Sequence, residues 1–231
     1  MNIFNHIKAL KITKILLLIP IIAILLYSPD ALTYGICFFL FVIILLDFII
    51  IDKAKNDYQS IYRSAYFDSL TGIPNRLSAD IFVAKSTSPD ELSVVMADLD
   101  GLKTTNDTFG HHIGDILIKD FAMIFFKTSV PEGFAARNGG DEFLAIFSQD
   151  GTGTKAADYC RSLKQNIDIY NETAAHTLSY SIGVAYGQEQ KYDSIQQLIS
   201  AADKHMYEEK KSKRQHNRTA IDDQARKGEC F

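Results

Sequence analysis

The sequence is poor in cysteine. Its three cysteines, Cys37, Cys160 and Cys230, form no short-spaced pair. This spacing argues against a disulfide framework and against a zinc site, and it suits a reducing cytosol. The 13 glycines and 5 prolines give no sign of disorder or of internal repeats.

An excess of positive charge is also missing. The net charge is −4, and no broad basic face is evident in the sequence. A nucleic-acid polymer is therefore not expected as a partner. The 231 residues provide for one ordinary domain and an appendage.

Apolar residues are concentrated near the N-terminus, in residues 12–51. The runs "ITKILLLIPIIAILLYSP" and "ALTYGICFFLFVIILLDFIII" predict two transmembrane helices within residues 1–51, because the second matches a bilayer core of about 30 Å. The alternative, a cleaved signal peptide, is weaker. No small-x-small cleavage site follows the first run, and the second run would still anchor the chain.

Lysines flank this apolar region on both sides. Lys8, Lys11 and Lys14 precede the first run, Lys53 and Lys55 follow the second, and the link "SPDA" has no basic residue. The positive-inside rule then places both ends of a helical hairpin in the cytoplasm, with the lipid bilayer as a partner.

The remaining sequence alternates between helical and extended patterns. Residues 52–66 predict a helical stalk, residues 67–218 a single domain, and residues 219–231 a polar tail. Within the domain the predicted order is helix, strand, helix, hairpin, helix, strand, helix. This order indicates an α/β sandwich with a mainly antiparallel sheet.

Acidic residues lie at the end of the predicted strand "LSVVMADLD" and directly after the two glycines of the predicted β-hairpin turn "RNGGDEF". The hairpin turn would bring Asp141 and Glu142 to the sheet edge near Asp98, and Asp100 shares the side of Asp98 if the strand continues that far. Carboxylates gathered at one point repel one another unless a cation is present. They predict a Mg²⁺–phosphate site, whereas the turn alone would suit an ordinary acidic hairpin.

Glycines and amides extend this predicted site. Gly139 and Gly140 would let the backbone approach a phosphate without a Cβ in the way. Asn106, predicted in a loop, precedes His111 and Asp115, which lie four residues apart on one helix face. Amide and carboxylate groups can bond to a guanine edge.

Two cations, Lys210 and Arg214, lie four residues apart near the end of the last predicted helix. They could hold a triphosphate. The alternative is that they offset the helix dipole, since Lys211, Lys213 and Arg218 are also basic.

Five stretches resemble, in order and spacing, the GGDEF domain of diguanylate cyclases, and the resemblance extends over about residues 66–218. They are "FDSLTGIPNR", "ADLDGLKTTNDTFGHHIGD", "RNGGDEF", "SIGVAYG" and "ADKHMYEEKKSKR". The resemblance implies a nucleotidyl-cyclase-like α/β sandwich. It further implies an enzyme that joins two GTP into cyclic di-GMP at the interface of a homodimer and releases two pyrophosphates. Together with the two apolar runs and their flanking lysines, it predicts a multi-pass protein of the bacterial inner membrane with both termini and the catalytic domain in the cytoplasm.

The same resemblance implies roles for individual residues. Catalysis would rest on Asp141 and Glu142. Mg²⁺, or Mn²⁺ in its place, would be held by Asp98, the Leu99 carbonyl, Asp141 and Glu142. The substrate-binding residues would be Asn106, His111, Asp115, Gly139, Gly140, Lys210 and Arg214.

Several positions depart from the family pattern. Leu102 stands where Phe is usual and Asn138 where Tyr is frequent, while His205 and Lys213 replace commonly small residues. An Arg-x-x-Asp product-inhibition site is missing because the matching positions are Val130 and Gly133, so we expect no product feedback there.

Two other functions compete with an active cyclase. A catalytically inactive GTP-binding receptor or scaffold should show a damaged acid or glycine, and none is visible in the motif. A membrane-interaction protein that uses the domain only to dimerise would not explain why the acids occur together with Asn106 and Asp115.

Overall fold

The computed structural model describes residues 12–13, 16, 19–20, 22–23, 31–86 and 88–228. The chain divides into two compact units, Met1–Arg63 and Ser64–Phe231. Most of the first predicted transmembrane run lies outside the described residues. The predicted pairing of the two transmembrane helices in a hairpin therefore stays a prediction.

Helix α1 (Ala31–Tyr66) joins the second apolar run to the predicted stalk without a break. It is the one helix in the described part of the chain that is long and apolar enough to cross a membrane. Its apolar side chains are exposed, with Phe38 at 70% and Phe39 at 65%. At 36 residues it extends roughly 54 Å, which exceeds a bilayer core of about 30 Å.

The second unit contains the helices and strands that the sequence predicts and one additional short helix, Leu102–Phe109. Its elements are α2 (Arg76–Lys85), β1 (Leu92–Leu99), α3 (Leu102–Phe109), α4 (His111–Ser129), β2 (Phe134–Gly139), β3 (Glu142–Ser148), α5 (Thr154–Thr173), β4 (Tyr180–Tyr186) and α6 (Ile195–Gly228). The four strands form one sheet in the order β2-β3-β1-β4, and every neighbouring pair is antiparallel. The predicted β-hairpin, formed by β2 and β3, and the predicted antiparallel sheet are confirmed.

The central strand β1 explains why the sheet is covered on both sides. All eight of its residues are buried, and successive side chains point to opposite faces. Val94 and Met96 pack in a cluster with α2 and α6, whereas Val95 and Ala97 pack in a second cluster with α4 and α5. Both faces of the sheet therefore bury apolar surface, which produces the sandwich.

Helix α6 lies directly against the edge strand β4. A Cβ at Gly183 would come within 2.1 Å of the Ala202 carbonyl oxygen and of the Met206 nitrogen. Only glycine permits this close approach of helix to strand.

The secondary structure differs from the prediction in two places. Asn106, expected in a loop, lies in helix α3, which is short because Gly101 and Gly110 flank it with φ of 72° and 86°. Helix α6 continues through residue 228, so much of the predicted polar tail is helical. No proline or glycine interrupts the sequence before Gly228, which is why the helix does not end earlier.

The carboxylate of Asp150 ties β1 to the start of α5. It accepts hydrogen bonds from the backbone N–H of Lys155 and Ala156, both at 2.9 Å, and from the Ser93 hydroxyl at 2.5 Å. Because α5 follows Gly153, which has no capping side chain, Asp150 satisfies N–H groups that would otherwise have no partner.

Replacing Asp150 with Ala should destabilise the domain by about 3 kcal/mol, because the helix loses its cap and the buried Ser93 hydroxyl loses its acceptor. Urea denaturation of the full-length chain measures the loss. Asp158→Ala is the control, since its ion pair with Arg161 is exposed and should contribute less than about 1 kcal/mol. Equal stability of the two variants would contradict this role.

Candidate functional site

The end of β1 and the hairpin turn meet at one corner of the sheet. Asp98 is paired in register with Glu142 across the β1–β3 ladder. The Leu99 N–H donates to the Asp141 carbonyl over 3.1 Å. The structure thus brings together the backbones of all four predicted metal-binding residues.

Asp98 is a buried carboxylate, with 6% of the residue exposed. Its Oδ1 accepts a hydrogen bond from the Lys210 ammonium of α6. Burial raises the pKa of Asp98, the nearby charges of Asp141 and Asp100 add to this rise, and Lys210 opposes it. The ionised carboxylate is therefore held at a cost that additional positive charge would reduce.

Asp100 has a different environment. Strand β1 ends at Leu99, so the side-chain alternation does not reach Asp100. One carboxylate oxygen accepts from the Ser181 hydroxyl at 2.8 Å and the other from the Ser179 hydroxyl at 3.0 Å. These bonds attach the turn after β1 to the neighbouring strand β4.

Arg137 braces the hairpin turn. Its Nε and Nη2 donate to the Gly140 carbonyl at 3.0 and 2.6 Å, and its Nη1 donates to Asp68 Oδ1 at 2.8 Å. Gly140 has a φ of 29°, so the turn depends on glycine at this position. Neither Arg137 nor Asp68 was predicted to have a role, although each lies in a stretch that carries the family resemblance.

A cleft of about 790 Å³ opens beside this corner. Leu99 and Asp141 line one part of it, and Lys210 and Arg214 line another, with further cations from Lys103 and Lys213. Its volume lies within the roughly 300–1,000 Å³ typical of small-molecule sites. Acids and cations in one cleft suit a ligand that carries phosphates together with a metal ion.

Other predicted site residues lie outside this cleft lining. Asn106 and Asp115 are half-buried, and His111 is exposed at the start of α4. The Asn106 side-chain oxygen is buried without a hydrogen-bond partner, and a Cβ at Gly114 would come within 1.9 Å of it. Asp98, Gly139, Gly140 and Glu142 also lie outside the lining. The predicted roles of all these residues, metal-binding for Asp98, catalytic and metal-binding for Glu142 and substrate-binding for the others, stay predictions.

The donor atoms at the corner fit a hard divalent cation. Among the residues that the structure describes, no group of three His, Cys, Asp or Glu side chains is close enough to hold a metal. The Asp98 and Asp141 carboxylates and the Leu99 carbonyl are nevertheless oxygen donors of the kind that Mg²⁺ prefers. The Lys210 ammonium on Asp98 shows that this position already attracts a cation. Whether Glu142 completes the set stays a prediction.

The antiparallel sandwich with acids at one corner and cations facing them defines a nucleotidyl-cyclase-like domain. Residues 65–216 match the family model of the diguanylate cyclase GGDEF domain, and the chain belongs to this family.

Relatives support this membership. The signaling protein YkoW of Bacillus subtilis is 37% identical over 158 residues, which are 64% of this chain and 20% of that protein. The diguanylate cyclase DgcS of Shewanella oneidensis is 32% identical over 162 residues, which are 68% of this chain and 53% of that protein. The chain thus spans about half or less of the length of these curated relatives.

A solved structure shows the shared fold. The coiled coil and GGDEF domain of DgcB from Caulobacter crescentus, in complex with c-di-GMP, matches with a TM-score of 0.62 at 22% identity. The match covers 75% of this chain and 95% of that chain.

The Asp68–Arg137 contact should make stability depend on pH. Burial alone would raise the pKa of Asp68, but hydrogen bonds from Thr71 and Arg137 outweigh it and lower the pKa from its ordinary value of 3.8. A carboxyl with a lowered pKa stabilises the fold above 3.8, and this contribution is lost as the pH falls through the folded-state value.

Asp68→Asn should therefore lower the free energy of unfolding at pH 7, and its difference from the wild type should shrink below pH 3.8. Urea denaturation at a series of pH values measures this difference. Asp80→Asn, at an exposed position on α2, is the matched control. A deficit of Asp68→Asn that stays constant across the series would show that the Arg137 contact is not electrostatic.

Proposed function

We propose that the chain is a membrane-anchored diguanylate cyclase that condenses two GTP into cyclic di-GMP. The observation that carries the proposal is that one cleft is lined both by Leu99 and Asp141 at the acid corner and by the cations of α6. Family membership supports the same activity, and DgcS, named a diguanylate cyclase, is a relative over the corresponding region.

Each domain would bind one GTP. Lys210 and Arg214 line the cleft and would hold the phosphates by charge-assisted hydrogen bonds. Asn106 and Asp115 would bond to the guanine edge, with His111 beside them. The buried and unpaired Asn106 oxygen supports this assignment, because a buried acceptor without a donor is costly until a ligand supplies one.

Asp98, Asp141, the Leu99 carbonyl and Glu142 would hold Mg²⁺, or Mn²⁺ in its place. When bound, the metal ion would neutralise charge on the α-phosphoryl oxygens and help to align the attacking and leaving oxygens. Lys210 would then turn from Asp98 toward the phosphates. Asp98 would then have a positive charge beside it both without the metal ion, from Lys210, and with it.

The reaction forms one phosphodiester bond per GTP. The 3′-hydroxyl of one GTP attacks the α-phosphorus of the other, the bond between the α-phosphorus and the bridging oxygen breaks, and pyrophosphate leaves. Glu142 would accept the proton of the hydroxyl. Two such steps give the cyclic product and two pyrophosphates.

The product contains two nucleotides, and one cleft would supply one of them. Two clefts from a homodimer must therefore face each other for the reaction. We infer that α1 anchors the chain to a bacterial inner membrane as part of a two-helix hairpin, with the catalytic domain in the cytoplasm. The exposed apolar side chains of α1 and the flanking lysines support this arrangement.

Glu142→Ala and Asp141→Ala should each lower the rate of cyclic di-GMP formation by about 100-fold or more, because proton transfer or metal binding is impaired. The assay uses purified full-length chain with GTP and Mg²⁺, and chromatography quantifies the product. Glu132→Ala, at an exposed acid just before the hairpin, is the control and should keep the wild-type rate.

The same assay tests the competing function. A wild-type chain that binds GTP but forms no cyclic di-GMP, even when it is forced to dimerise, would contradict the enzyme and favour a GTP-binding receptor or scaffold. Product feedback at Val130 and Gly133 is not part of this proposal. An acidic side chain at Gly133 would have no room there, since a Cβ would lie 2.5 Å from the Phe147 ring.

A further inference from the structure

Lys213 on α6 is one of the cations that line the cleft. Its ammonium group contacts several side-chain and backbone groups of the protein. Its Nζ lies 2.9 Å from Glu209 Oε1 and 3.6 Å from Asp100 Oδ2, and it donates to the Tyr180 carbonyl. The ammonium also lies 5.7 Å from the centroid of the Tyr180 ring, within the range of a cation–π contact. The Lys213 side chain is 40% exposed and that of Asp100 20%, so solvent screens this cluster only in part.

The two carboxylates that Lys213 joins are both bonded to residues 179–182, at the start of β4. Asp100 is bonded to Ser179 and Ser181, and its own N–H donates to the Ser179 carbonyl at 2.9 Å. Glu209 accepts from the Ile182 N–H at 2.7 Å. Lys213 is therefore the point where the turn after β1, strand β4 and helix α6 are connected.

A stripe of three α6 side chains lies along the edge strand β4. His205, Glu209 and Lys213, each four residues apart, contact the Val184 carbonyl, the Ile182 N–H and the Tyr180 carbonyl, respectively. Side chains at this spacing share one helix face. The contacts satisfy backbone groups that an edge strand otherwise leaves unpaired, and they fix the rotation of α6 about its axis.

This rotation matters for the cleft because α6 also carries Lys210 and Arg214. Lys210 reaches Asp98 near the end of β1, and Lys213 reaches Asp100, two residues further along the chain. The two lysines hold the two sides of Leu99, whose carbonyl is a predicted metal ligand. A shift of α6 would therefore change the cations and the turn together.

We propose that Lys213 is a positioning residue that ties Asp100 to α6 and so holds the metal-binding turn and the phosphate-facing cations in a fixed relation. This inference rests on the proposed function for its consequence in catalysis. It differs from a direct phosphate-binding role for Lys213, which also lines the cleft, because the ammonium would act through Asp100 and Glu209 rather than by contact with the nucleotide.

The test compares Lys213→Met, Lys213→Arg and Lys211→Met in the purified full-length chain. Binding of Mn²⁺ alone, measured by electron paramagnetic resonance without nucleotide, should weaken about 10-fold in Lys213→Met, as for other residues that orient metal ligands. The value of kcat should fall by a similar factor of about 10, with KM for GTP changed less than about 3-fold. Lys213→Arg should restore both to near wild type, and the exposed Lys211→Met should change neither.

Either of two results with Lys213→Met would overturn the proposal. A rise in KM for GTP without a change in Mn²⁺ binding would make Lys213 a phosphate contact, and unchanged values throughout would make the cluster a surface ion pair. If Lys213→Met fails to fold, Asp100→Asn removes the same connection and should weaken Mn²⁺ binding alike; wild-type Mn²⁺ binding in Asp100→Asn would then refute the proposal. Hydrogen exchange at the Ile182 amide, expected to quicken in Lys213→Met, needs no cyclase activity. It therefore separates failure of this inference from failure of the proposed function.

Discussion

A carboxylate buried at the end of a central strand is the constraint on which the site depends. Asp98 lies where the apolar run of β1 ends, beside a second acid on the neighbouring turn, and burial makes its ionised form costly. In the structure a lysine from the last helix supplies the compensating charge. The ionised form of such a carboxylate requires a nearby cation, and the proposed metal site depends on the same requirement.

Placement of that acid corner depends on elements far apart in the sequence. Strand pairing brings the turn of the β-hairpin to the end of β1. Arg137 fixes this turn by hydrogen bonds to Gly140 and to Asp68, a residue that precedes helix α2. The opposite wall comes from α6, whose close approach to β4 requires glycine at position 183. The cleft is thus built by packing and backbone contacts before any ligand is bound.

Much of the fold could be predicted from the sequence because apolar periodicity and glycine-marked turns are local signals. The order of the predicted elements and the hairpin needed only those signals, whereas helix α3 was missed because its eight residues are mostly polar and end at glycines. The acid corner was expected because the turn of the predicted β-hairpin would lie beside the end of the predicted strand. The brace between Arg137 and Asp68, and the stripe from His205 to Lys213, could not be predicted, because each depends on side chains that meet only after packing. The metal set and the guanine contacts still rest on the family resemblance.

The most direct test of the central claim is titration calorimetry of Mg²⁺ into the full-length chain saturated with a GTP analogue that lacks the 3′-hydroxyl. Wild type and Asp98→Asn are compared, because Asn keeps the shape and one acceptor but not the charge. We expect Mg²⁺ to bind at least about 10-fold more weakly to Asp98→Asn than to the wild type. Equal Mg²⁺ affinity in the two proteins would contradict it.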